Sequence, residues 1–95
     1  MNIGVPKEIK DNEKRVALTP SGARDLVLSG NKVFVETEAG SGSGFKDDLY
    51  IQSGAVILSN AQEVFDKSEL IVKVKEPQPE EVDRLSDKHT LFTFF

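Results

Sequence analysis

The chain has 95 residues and a net charge of −4, which bounds it to one domain and, with no dense block of Lys and Arg, argues against nucleic acid as a partner. Hydrophobic residues at 38% and charged residues at 29% are the balance of a globular chain rather than a disordered one. Cysteine is absent, which excludes disulfides and thiolate metal sites; no apolar run approaches the ~20 residues of a membrane span, and the N-terminus carries no basic-then-apolar leader, so the cytoplasm is the expected compartment.

Asn2–Val5 is a short apolar run closed by Pro6 and reads as a first strand. Lys7–Lys14 is charged and carries Asp11 and Asn12, a turn composition. Arg15–Leu18 is a second short apolar piece. Thr19 and Pro20 then form a helix start, N-cap followed by proline at the first helical position. Ala23, Leu26 and Val27 recur at helical spacing, and Gly30 follows as the C-terminal cap. Lys32–Thr37 alternates as a strand, with Val33 and Val35 on one face and Phe34 on the other. Glu38–Gly44 is a Gly/Ser loop, read as a flexible connection. Asp47–Ser53 is a short helix stopped by Gly54, and Ala55–Leu58 a strand of buried type. Asn60 caps a helix running to Asp66. Leu70–Val74 is a further strand, ended by Glu76 and Pro77. Pro79–Leu85 is an amphipathic helix with Val82 and Leu85 inward, and Thr90–Phe95 a last apolar strand. Strands and helices alternate throughout. That order implies an α/β fold, a mainly parallel sheet with helices on both faces. Leu91–Phe95 is an apolar strand with nothing after it, an aggregation hazard if left uncovered, so the domain is expected to be truncated.

Arg15 and Lys75 stand out among the cations. Ligands of open α/β sheets bind beyond the carboxyl ends of the strands, where Lys75 sits. A period of two puts Ile71, Lys73 and Lys75 on one face, with Lys73 deeper. A guanidinium at Arg15 could hold a carboxylate through two parallel hydrogen bonds. Position alone favours solvated surface cations for both, and spacing alone makes no case for catalysis. Gly40, Gly42 and Gly44 suggest a dinucleotide fingerprint, but the third glycine of G-x-G-x-x-G would fall on Phe45. His89, the only histidine, reads as solvated in a polar turn, and one histidine without cysteine makes no usual metal site. Glu76, Glu80 and Glu81 read as a charge cluster at a helix N-terminus.

Ile3-Gly4-Val5-Pro6-Lys7-Glu8 and Glu13-Lys14-Arg15-Val16-Ala17-Leu18-Thr19-Pro20 resemble the N-terminus of the alanine dehydrogenase and pyridine nucleotide transhydrogenase family. Gly42-Ser43-Gly44-Phe45 with Asp48 and Tyr50, then Val72-Lys73-Val74-Lys75-Glu76-Pro77, are similar to its following segments, in the same order and across essentially the whole chain. The Arg-Val-Ala-Leu-Thr-Pro and Lys-Val-Lys-Glu-Pro forms resemble the alanine dehydrogenase branch more than the transhydrogenase branch. The resemblance implies a flavodoxin-like or Rossmann-like substrate-binding domain, with residues 1–95 its N-terminal part and the nicotinamide-binding domain absent. It implies an enzyme that interconverts L-alanine and pyruvate with ammonia, using NAD, as a hexamer for the whole enzyme.

By the same resemblance, Arg15 matches the arginine that binds the substrate carboxylate, and Lys75 the lysine that contacts the substrate in the same cleft. The family's catalytic histidine would follow Phe95 directly, and His89 does not stand in its place. The isolated chain is therefore expected to bind no cofactor and to be inactive alone. Two other functions remain open at this point: an interaction module pairing through an open sheet edge, and the substrate-like domain of a transhydrogenase subunit.

Overall fold

The spacing Val33-Phe34-Val35 does in space what it does in sequence: the two valines are fully buried, and Phe34 between them points to the opposite face. The computed structural model describes residues 1–9, 13–75 and 77–93. Its strands are β1 (Asn2–Val5), β2 (Lys32–Glu36), β3 (Val56–Leu58), β4 (Leu70–Lys73) and β5 (Thr90–Thr93). Between them lie the helices α1 (Pro20–Leu28), α2 (Asp47–Gln52), α3 (Ala61–Lys67) and α4 (Pro79–Val82). The strands form one sheet in the order β3-β2-β1-β4-β5, and every pairing is parallel. This is the alternating α/β architecture the sequence implies.

Helix limits follow from local chemistry. Thr19 Oγ1 accepts a hydrogen bond from the Gly22 N–H at 3.1 Å, and Pro20 opens α1 where no backbone donor is needed. At the other end Gly30 takes φ of +96°, a left-handed conformation that stops the helix. The side chain of Asn60 accepts from the Glu63 N–H at 2.9 Å and starts α3.

One face of the sheet buries Val5, Val33 and Val35 against Ala23 of α1 and Tyr50 of α2. The other face carries α3, which comes so close that only glycine fits beneath it. A Cβ on Gly4 would overlap Ser68 Oγ and lie 2.9 Å from Val64 Cγ1. Gly4→Ala is therefore expected to destabilise the fold by about 1–3 kcal/mol through overpacking, read by urea denaturation. An unchanged midpoint would mean that α3 shifts freely across β1. α4 lies on this second face as well. Gly4 pairs with Ile71, so Ile71 and Lys73 point the same way as Gly4, and Lys73 meets Glu81 of α4 there.

Several elements depart from the sequence reading. β4 ends at Lys73, one residue early, and Val74 and Lys75 form a bend. Val56 is 48% exposed because β3 is an edge strand, not a buried one. α4 stops at Val82 because Arg84 and Leu85 donate to Glu81 and Val82, three residues back rather than four. Its inward residue is Glu81, while Val82 is 54% exposed. The turn expected at Asp11 and Asn12, the residue Glu76, and the last two residues of the final strand, Phe94 and Phe95, lie outside the described residues. On β5, at the other edge of the sheet, Leu91 and Phe92 are exposed.

Candidate functional site

The chain first runs outward through β1, β2 and β3, then returns to lay β4 on the other side of β1. The sheet order therefore reverses between β1 and β4, and a crevice opens at the carboxyl ends of those two strands. Residues 13–18 and 74–75 both arrive at this point.

Glu8 ties the two strand ends together. Its Oε2 accepts from the Val74 N–H at 3.0 Å, and its Oε1 accepts from the Lys75 N–H at 3.2 Å. The same Oε1 accepts from Lys73 Nζ at 3.1 Å, and Lys73 Nζ also donates to Glu81 Oε2 at 2.8 Å. Lys73 and both carboxylates are almost wholly buried. Glu81 in turn accepts from the Gln78 N–H and closes the first turn of α4. Lys73 is thus a structural cation. The expected common face of Lys73 and Lys75 does not hold, because the strand has ended before Lys75.

The segment carrying Arg15 has no regular structure and is pinned by two carbonyls. Ser43 Oγ donates to Lys14 O at 3.0 Å, and the Tyr50 hydroxyl donates to Leu18 O at 2.7 Å. Tyr50 is fully buried, and burial, with the charge of nearby Asp47, pushes its phenol up to about 12. The Gly/Ser loop forms a short 3-10 turn over Ser41–Ser43, exposed along its length and tied to the Arg15 segment by the Ser43 bond. A Cβ on Gly40 would meet Phe45 O and Tyr50, and one on Gly42 would meet the Lys14 backbone. These glycines permit close approach, Gly40 to Phe45 and Tyr50 and Gly42 to the Lys14 backbone.

Glu13 brings the two singled-out cations together. Its Oε2 accepts from both the backbone N–H and Nε of Arg15 at 2.9 Å, and its Oε1 accepts from Nη2 at 2.9 Å. Lys75 Nζ lies 3.7 Å from that same Oε1. The side-chain hydrogen bonds from Arg15, then its backbone N–H, hold the Glu13 carboxyl down to about 2. The Arg15 guanidinium is raised in return, chiefly by its hydrogen bond to Glu13. Arg15 remains 64% exposed and Lys75 one-third exposed, while Glu13 is 4% exposed. Both cations are therefore accessible, but neither is the free solvated cation that position alone suggests.

Arg15 lines a cleft of about 400 Å³ whose apolar wall is Val16, Ala17, Phe45 and Val74, with the polar side chain of Ser43 beside them. A charged fork beside a small apolar wall suits a short carboxylate carrying a methyl-sized end. His89 lies elsewhere. It is half-buried, accepts from the Ser86 N–H through Nδ1, and places Nε2 2.6 Å from Phe65 O, which makes Nε2 the protonated nitrogen. Its ring meets Phe65 edge-on at 5.7 Å. It fastens the turn before β5 to α3 and is not the solvated residue expected. The sequence reading named no role for Glu8, Glu13 or Tyr50. Their partners lie across the fold or, for Glu13, two residues away in a segment without periodicity.

Residues 4–95 match the family described as alanine dehydrogenase/PNT, N-terminal domain. The alanine dehydrogenase of Methanococcus maripaludis is 52% identical over 94 residues, covering 99% of this chain and 25% of its own length. That of Bacillus subtilis is 51% identical over the same span and the same shares. A solved L-alanine dehydrogenase superposes with a TM-score of 0.91 at 47% identity, covering 98% of this chain and 26% of its own. A solved transhydrogenase from Sinorhizobium meliloti superposes with a TM-score of 0.90 at 28% identity, with shares of 98% and 27%. The chain spans about a quarter of the length of the relatives it matches.

Proposed function

The chain belongs to the alanine dehydrogenase/PNT family, as a match to its N-terminal domain, and from that premise we propose that residues 1–95 are the N-terminal part of the substrate-binding domain of an NAD-dependent L-alanine dehydrogenase. The reaction is the oxidation of L-alanine by NAD, with water, to pyruvate, ammonia and NADH. Arg15 binds the substrate carboxylate through its guanidinium, and Lys75 contacts the carbonyl or amino side of the same molecule. Two cations so arranged orient a small 2-oxo acid and polarise its carbonyl before hydride arrives.

The observation that carries this reading is the meeting of Arg15 and Lys75 at one carboxylate, beside a small apolar cleft at the reversal of the sheet. NAD⁺ would accept the hydride from L-alanine, and NADH would return it to the imine in the reverse direction. In this reading the cofactor would be held by residues outside 1–95, because the glycine loop here lacks the G-x-G-x-x-G spacing. The enzyme is proposed to be a cytoplasmic homo-oligomer, a hexamer by family resemblance. No helix among the described residues is long and apolar enough to cross a membrane. The transhydrogenase reading has the lower identity, 28% against 47% for similar superpositions, which favours the dehydrogenase.

Calorimetric titration of pyruvate into the purified chain tests the anchoring role. Saturable heat is expected, weakened about tenfold or more in Arg15→Ala, since a charge-assisted bidentate contact is lost. Equal binding by the variant would remove Arg15 from the site.

A further inference from the structure

We propose that Glu13 sets the charge selectivity of this cleft, making it a site for monocarboxylates and against dicarboxylates; this rests on the reading of Arg15 and Lys75 as carboxylate anchors. Glu13 lies between the two cations and touches both, at 2.9 Å and 3.7 Å through one oxygen. Its carboxylate is held by a backbone N–H as well as by the guanidinium, so it is a fixed part of the site rather than a ligand's placeholder. The grip is side-on, through Nε and Nη2. Among the described residues Nη1 has no hydrogen-bond partner, which leaves that edge of the guanidinium to a ligand.

The charges around the crevice then sum to a small excess. Arg15 and Lys75 stand against Glu13, which leaves one positive charge. On the far side of Arg15, a second cleft of about 230 Å³ adds Lys7 and Lys14 against Glu8 and Glu38. Lys73 is matched by Glu81, since Glu8 is already counted. One uncompensated positive charge among the described residues equals the charge of one carboxylate. Between its two anchors, a second carboxylate on the ligand would approach the fixed negative charge of Glu13. Glu13 is a positioning and selectivity residue here, not a catalytic one.

The test compares L-lactate with L-malate, which differ by one carboxylate, alongside pyruvate. Each is titrated into the chain and followed by amide chemical shifts at neutral pH and low salt. The wild type is expected to prefer lactate. Glu13→Gln should move the lactate-to-malate ratio about tenfold or more toward malate, the scale of one added charge at contact distance. Glu13→Asp, which keeps the charge, should keep the wild-type ratio. Should Glu13→Gln fail to fold, Lys75→Gln removes the excess charge, and the ratio should move the other way by a similar factor. An unmoved ratio in a folded Glu13→Gln or in Lys75→Gln, with pyruvate binding still dependent on Arg15, overturns the selectivity role and leaves the anchoring role intact. Absence of Arg15-dependent binding of any of the three acids overturns both.

Discussion

Lys73→Met is expected to cost about 3–5 kcal/mol, the usual consequence of removing one partner from a buried ion-paired group. Methionine keeps the length and the packing of the lysine stem. It leaves Glu8 and Glu81 facing each other with no cation, although both had met at Lys73 Nζ at 3.1 and 2.8 Å. Neither carboxylate can turn to water without breaking something else. Glu8 holds the backbone N–H groups of Val74 and Lys75, and Glu81 holds that of Gln78. A domain of this size has only about 5–10 kcal/mol in total, so the loss takes a large share of it. Equilibrium unfolding in urea reads the effect. Glu81→Gln added to Lys73→Met should return part of the loss, because an amide can donate to Glu8 where a carboxylate repels it. A cost below about 1 kcal/mol would mean that the two carboxylates reach solvent, and that Lys73 is not what joins β1, β4 and α4.

The difference between Lys73 and Lys75 shows where sequence reading stops. Both belong to one Lys-x-Lys spacing, and period two puts them on one face. The period holds only while the strand does, and β4 ends at Lys73. What ends it is Glu8, which takes the next two backbone donors from a distant part of the chain. Capping signals, by contrast, are local, and Thr19-Pro20, Gly30 and Asn60 all lie where their chemistry predicts. The alternating order of elements gave the parallel sheet for the same reason, since each step depends on a short stretch of residues.

Arg15 and Lys75 could be singled out, but nothing in their spacing says that they share a carboxylate. Glu13 supplies that link from a segment with no period to read. Glu81 has a second role that its place in the sequence does not show. Glu80 and Glu81 lie in the first turn of α4, as their reading as a charge cluster at a helix N-terminus requires, but that reading does not say that Glu81 turns inward to a buried lysine on β4. The apolar pattern of Val82 and Leu85 yields to that single ion pair, in a helix too short to present a whole face.

Tyr50→Ala should cost about 3–5 kcal/mol, comparable to Lys73→Met, through the space left by a fully buried ring. It should also release the segment that presents Arg15, because the Tyr50 hydroxyl is the hydrogen-bond partner of Leu18 O. Tyr50→Phe separates the two effects. It keeps the ring and removes the hydroxyl, for about 1–2 kcal/mol. The same hydroxyl gives a pH signature. Burial raises the phenol to about 12 in the folded chain, against about 10 when unfolded. The unfolded state therefore releases the proton first. The neutral phenol's contribution is complete below pH about 10 and is lost as pH rises through 10 to 12. Lysines also titrate in this range, but they do so in both proteins. The stability difference between the wild type and Tyr50→Phe should accordingly be constant up to pH about 10 and shrink above it. A difference that stays constant to pH 12 would mean that the hydroxyl reaches water, and that Leu18 is held in place by its neighbours' packing instead.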